Sequence, residues 1–202
     1  MWSQALIDNR EKYIAKIEQI KTLPKANELF LHLGCGNIKI PNWTNIDKYV
    51  KDPDIVNQDI YSLDYADNSV DGIYSSHSLE HLPIRHARLA LKNWFRILKN
   101  KGKLFLAIPD LELTMQMILD KNVSFAHRYF WFMHVLFGYQ VNSNLRDPKL
   151  DSPVDLGQFH TCGFTEELIR FYLLEDGYTI LDLYHYDGWS TPSIFIEAEK
   201  NV

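Results

Sequence analysis

Leu29–Asn37 reads LFLHLGCGN, and Asp47 follows ten residues after Asn37. An apolar run long enough for one buried strand breaks off into Gly34-Cys35-Gly36, and a carboxylate arrives soon afterwards. Glycine lets backbone pass close to a bound group, and a carboxylate suits the paired hydroxyls of a ribose. These residues point to a cofactor that contains a nucleoside and leave its identity open.

Outward from this stretch, strand and helix patterns alternate. Residues 3–22 form an amphipathic N-terminal helix, with Leu6, Tyr13, Ile17 and Ile20 near one face and Pro24 ending it. Strands are predicted at Leu29–Leu33, Trp43–Ile46, Asp54–Gln58 (the weakest) and Val70–Ser75. Pro83–Lys99 is a helix with Ile84, Ala87, Leu91 and Leu98 at helical spacing, and Gly102 follows its end. A strand over Lys103–Ile108 and a helix over Leu111–Leu119 come next. Residues 123–163 differ: an aromatic-rich segment runs into a polar stretch with Pro148, Pro153 and Gly157, which reads as a lid or insertion. Thr165 caps a last helix ending near Gly177, and Tyr178–Tyr186 and Ser193–Lys200 are the final strands. Such alternation implies an α/β sheet with helices on both faces and a ligand beyond the carboxyl ends of its strands. Gly34, Asp47, Asp59, His77 and Asp110 each follow a predicted strand and are expected on that rim.

Length and composition fit one domain, residues 1–202, with a full core. The net charge of −5 (21 basic against 26 acidic residues) argues against a nucleic-acid binder with a broad basic surface. The spacing of Cys35 and Cys162 suggests neither a zinc framework nor a disulfide, and a reducing, cytoplasmic location is the simplest expectation. The N-terminus lacks a signal-peptide core, and the apolar stretch Phe130–Tyr139 is too short to span a bilayer.

Several segments together resemble class I S-adenosylmethionine-dependent methyltransferases. They are LHLGCGN, then NIDK at 45–48, then QDIYSLDYADNSVDGIYSSHSLEHL at 58–82, then ALKNWFRILKNKGKLFLAIPD at 90–110. The resemblance covers residues 29–110 well and the C-terminal strand pair more loosely. It implies a Rossmann-like doubly wound sheet of about seven strands, mostly parallel with an antiparallel C-terminal strand. It implies S-adenosylmethionine as cofactor. Gly34 and Gly36 would pass its methionine portion, with Cys35 and Asn37 lending backbone groups. Asp47 would hold the ribose, Asp59 and Ile60 would flank the adenine, and Ser76 and His77 would lie where the fourth strand opens toward the sulfonium. His32 stands where the family often has an acid. LGCGN followed by a lysine and a proline, then Asn45-Ile46-Asp47, resembles a small bacterial branch tied to surface-glycan biosynthesis. The implied activity is methylation of a small polar or carbohydrate acceptor.

Three histidines are candidates for a catalytic base: His81, His77 and His160. The alternatives are packing or capping for the first two and an ordinary loop histidine for the third. His77-x-x-Glu80-His81 has the spacing of an inverted zinc-peptidase motif, yet no third ligand is identifiable at a distance, so no metal ligand is assigned. Arg128 could bind an anion, although packing is favoured, and Asp110 reads best as a helix cap. The aromatic stripe Phe130–Phe137 reads as core or a homodimer face. Two rival functions remain: a non-catalytic cofactor-binding partner subunit, and a nicotinamide dehydrogenase, against which Lys39 occupies the place of the third glycine.

Overall fold

The computed structural model describes residues 3–138, 159–188 and 191–201, apart from the side chains of 130 and 131. The elements in chain order are helix α1 (Gln4–Lys21), strands β1 (Phe30–Leu33), β2 (Thr44–Ile46) and β3 (Val70–Ser76), helix α2 (Ile84–Ile97), strand β4 (Leu98–Pro109), helices α3 (Leu111–Leu119), α4 (Phe132–Phe137) and α5 (Glu166–Asp176), and strands β5 (Tyr178–Asp187) and β6 (Pro192–Lys200).

The strands form one sheet in the order β2-β1-β3-β4-β6-β5. The first three interfaces are parallel, and β6 runs antiparallel to both β4 and β5. The described sheet thus has six strands rather than the seven expected. The difference is Asp54–Gln58, which makes a single bridge, Val56 to Ile46. Two hydrogen bonds, Val56 N–H to the Asn45 carbonyl and Asp47 N–H to the Val56 carbonyl, are the whole of that pairing. Neither the β1–β2 nor the β2–β3 connection contains a helix. The first connection has too few residues for a helical crossover, and a space stays open beside these loops where a helix would otherwise pack.

The sheet carries a separate core on each face. One face packs Leu31, Leu33, Ile73, Leu104, Leu106 and Ile196 against α2 and α5 through residues that include Ala87, Leu91, Trp94, Ile169 and Leu173. The α2 contributors fall at helical spacing, so the periodicity read from the sequence is the buried stripe itself. Its last turn ends at Ile97, two residues earlier than expected, because Leu98 already pairs with Val70. The opposite face is aromatic: Phe30, Trp43, Tyr74, Phe105, Tyr184, Tyr186 and Phe195 lie beneath α1. Tyr13 of α1 stacks on Tyr186 with centroids 4.2 Å apart, and Arg10 pairs with Asp187 at 3.0 Å. The caps at Asp110, Thr165 and Gly177 are formed as predicted. Of the expected lid, residues 139–158 lie outside the described residues. Of the aromatic stripe, Phe132 and Val135 are buried and Phe137 is half exposed.

Candidate active site

A cleft of about 1160 Å³ opens at the carboxyl ends of β1, β2 and β3. Gly34, Cys35, Gly36, Asn37, Asp47, Asp59, Ile60, Ser76, His77 and His81 all line it. Two expected residues lie elsewhere. His160 lines a neighbouring cavity of about 190 Å³ with Glu80 and Cys162. Asp110 is buried, accepting from Leu113 N–H as the α3 cap and from His185.

The two glycines differ in what they make room for. Both have positive φ, +64° at Gly34 and +52° at Gly36. A Cβ on Gly34 would sit 2.3 Å from the Ser78 Cβ, so that glycine is required by the chain's own packing. A Cβ on Gly36 would meet nothing within 4 Å and would stand in the open cleft. Both backbone groups of Cys35 are engaged in the turn, its N–H with Ile46 and its carbonyl with Ile38 N–H. Its thiol is pushed up to about 11, by burial first and then by Asp47, which keeps it protonated at neutral pH.

Asp47 organises the turn. Oδ2 accepts from Gly36 N–H at 2.9 Å, and Oδ1 accepts from Tyr49 N–H at 2.8 Å and Val50 N–H at 3.1 Å. A carboxylate offers about four acceptor positions, so this fixed group retains capacity for a ligand hydroxyl. Asp59 pairs with Lys48 at 3.0 Å on the same wall. The neighbouring Ile60 is held by its carbonyl, which accepts from the Trp94 indole N–H at 2.7 Å. His32 is buried, stacks on Tyr74 and contacts Asn45 Oδ1 through Nδ1 at 3.1 Å. Burial lowers its pKa, the Asn45 contact only partly opposing this, so the ring is neutral at pH 7. Asn45 Oδ1 can only accept, which puts the proton on Nδ1 and leaves Nε2 an acceptor.

The loops of this cleft are legible in the sequence, but its roof is not. Tyr13, Ile14, Ile17 and Lys21 of α1 line the cleft, as do Tyr74 and Lys48. The amphipathic pattern of residues 3–22 identified the helix, and nothing in it indicated which end of the sheet it covers.

At the far end of the cleft, β3 ends at Ser76 and His77 follows. His77 is held at φ +49°, rare for a residue with a side chain, by its N–H bond to the Ala107 carbonyl. Its Nδ1 is 3.5 Å from Glu80 Oε1, and its Nε2 is 3.5 Å from Ser193 Oγ. Glu80 is 1% exposed, and neither carboxylate oxygen accepts a hydrogen bond among the described residues. Burial works to raise its pKa, but His77, His81 and His160 together outweigh that, and the group is held below its usual value as a carboxylate. His160 itself is lowered, chiefly by burial.

Residues 35–106 match the family model described as a methyltransferase domain. A comparison with curated proteins returned no match. Among solved structures, the chain is similar to an S-adenosylmethionine-dependent methyltransferase from Methanosarcina mazei (18% identity, 91% of this chain and 97% of that one, TM-score 0.60). It is also similar to the magnesium protoporphyrin IX methyltransferase of Synechocystis with bound S-adenosylhomocysteine (16% identity, 96% and 83%, TM-score 0.59). A third is the 1,6-didemethyltoxoflavin-N1-methyltransferase of Burkholderia thailandensis (14% identity, 96% and 83%, TM-score 0.58). Identities this low establish a shared fold, and the family match, over residues 35–106, takes in most of the loop residues that line the cleft: the chain has the Rossmann-like methyltransferase fold, with a segment that matches a methyltransferase domain.

Proposed function

We propose that the protein transfers the methyl group of S-adenosylmethionine to a hydroxyl of a small polar acceptor: a sugar, a glycan precursor or a related phosphorylated metabolite. The observation that carries the donor is the cradle of Gly36 and Asp47, an open glycine edge beside a carboxylate already fixed by three backbone N–H groups. The residues present fit that donor. Asp47 takes the ribose hydroxyls, Asp59 the adenine amino group, and Ile60 an adenine face. The neutral His32, with Nε2 as acceptor, replaces the usual acid opposite the amino-acid ammonium.

Bound in the cleft, S-adenosylmethionine supplies an activated methyl group on a good leaving group, so the protein's task is alignment and proton handling. The turn at 34–37 and α1 hold the donor from two sides. A hydroxyl acceptor must lose its proton during transfer, and His77 is the best-placed base. Its Nδ1 faces the buried Glu80 carboxylate, which leaves Nε2, on the Ser193 side, to take the proton. The acceptor end offers Ser76, His77 and His81, polar groups suited to hydroxyls. The Lys39-Ile40-Pro41 and Asn45-Ile46-Asp47 segments, which resemble the glycan-linked branch, favour a sugar acceptor.

Incubation with methyl-labelled S-adenosylmethionine and a panel of sugar nucleotides and glycan fragments tests this reading. Labelled product is expected, with His77→Ala lowering kcat by about 10²- to 10⁴-fold while cofactor affinity changes little. Cofactor binding without transfer to any acceptor would support the partner-subunit reading instead.

A further inference from the structure

The wall between the cofactor cleft and the smaller cavity contains Glu80, His81 and His160. Glu80 and His81 lie in the turn Leu79–His81 after β3, and His160 comes from a segment some eighty residues later. One potential ligand atom from each lies within 4.8 Å of the other two. We propose that these three side chains hold a divalent first-row transition ion of the zinc class, with remaining positions open to water or to an acceptor oxygen.

Three features support the site. First, Glu80 is a fully buried carboxylate with no hydrogen bond among the described residues, and its charge faces imidazole nitrogens: His77 Nδ1 at 3.5 Å and His160 Nε2 at 3.9 Å. A buried charge needs a paired cation or a metal. Second, both histidines are set up as ligands. His81 Nδ1 is 3.0 Å from the Phe159 carbonyl, and His160 Nδ1 is 2.8 Å from the Val135 carbonyl. A carbonyl can only accept, so each Nδ1 carries the proton and each Nε2 presents a lone pair. A backbone carbonyl behind the ring is the usual orienting partner of a metal-bound histidine. Third, two imidazoles and one carboxylate form a donor set that zinc and its neighbours take, with open positions left over. Ligand atoms around zinc stand about 3.3 Å apart for bonds of about 2.0–2.1 Å, so modest side-chain rotation closes the cluster. Thr161 and Cys162 N–H both donate to the Glu80 carbonyl, which fixes the two ligand-bearing segments to each other.

The ion's existence does not depend on the proposed reaction. Only its use does: next to His77, it would bind the acceptor oxygen and ease loss of its proton. The test uses untagged full-length protein loaded with Zn²⁺ and passed over a desalting column, then measured for metal content and by zinc-edge X-ray absorption. S-adenosylhomocysteine binding is titrated on the same samples. About one zinc per chain, two imidazoles per zinc, and affinity weakened about tenfold or more in folded His81→Ala and His160→Ala would bear the proposal out. No retained zinc, or affinity unchanged in both variants, would overturn it and leave Glu80 facing the histidine cluster with no ion between them. The absorption spectrum of the wild type decides the ligand set even if a variant fails to fold. Failed S-adenosylhomocysteine binding with zinc retained would count against the methyl-transfer reading and not against the metal site.

Discussion

Gly34 and Gly36 share a backbone conformation but not a role, and substitution should separate them. Alanine at 34 meets Ser78 at a distance no side chain tolerates, in addition to strain at positive φ. Overpacking and left-handed strain together cost about 3 kcal/mol, or about 6–12 °C in melting temperature for a chain of this size. Alanine at 36 bears the strain alone, about 1 kcal/mol, and places its methyl in the cleft. Gly36→Ala should therefore melt within about 4 °C of wild type yet bind S-adenosylhomocysteine at least several-fold more weakly. Thermal melts and calorimetric titrations of the two variants read both effects. From sequence the two glycines were indistinguishable, because Ser78 meets Gly34 only once β1 and β3 pair. The same holds for Glu80, His81 and His160. The first two were legible as a spacing, while the third is brought to them by long-range packing that no local pattern encodes.

At the scale of elements, the caps were the most legible features. Asp110, Thr165 and Gly177 each act through bonds within a few residues, so sequence carries their whole signal. The edge segment at 54–58 and the roof made by α1 depend on what a neighbour presents, and both were misread or missed. One long-range link among elements makes a pH prediction. His185 of β5 joins Asp110 and Glu166, its Nδ1 and Nε2 each 2.6 Å from a carboxylate oxygen, and so ties β5 to the N-termini of α3 and α5. The Asp110 bond, with help from Glu166 and against desolvation, raises the imidazole to about 9. A folded-state pKa above the unfolded value near 6.5 means the triad's stabilisation is complete below about pH 6.5 and is lost as pH rises through about 9. The side chain is 36% exposed, so solvent reduces the contribution to on the order of 1 kcal/mol. His185→Gln should lower the melting temperature by a few degrees at pH 6 and by almost nothing at pH 10. An equal loss at both values would show that the triad's charge contributes nothing.

For the molecule as a whole, the arrangement follows from a sheet whose first two crossovers are loops. The loops after β1 and β2 leave the carboxyl ends of the strands open, and α1, which precedes β1 in the chain, covers part of what they expose. This order was legible in outline because a glycine turn, two carboxylates and a polar strand end recur after successive strands. Among the described residues, no helix is long and apolar enough to cross a membrane. The central claim is that this cleft binds S-adenosylmethionine through Asp47. Calorimetric titration of the intact protein with S-adenosylhomocysteine, beside Asp47→Ala checked for folding, tests it most directly. The account predicts one molecule bound per chain and a loss of about 1.5–3 kcal/mol in the variant, or about 10- to 150-fold in Kd. No binding to the folded wild type, or equal affinity in both proteins, would contradict it.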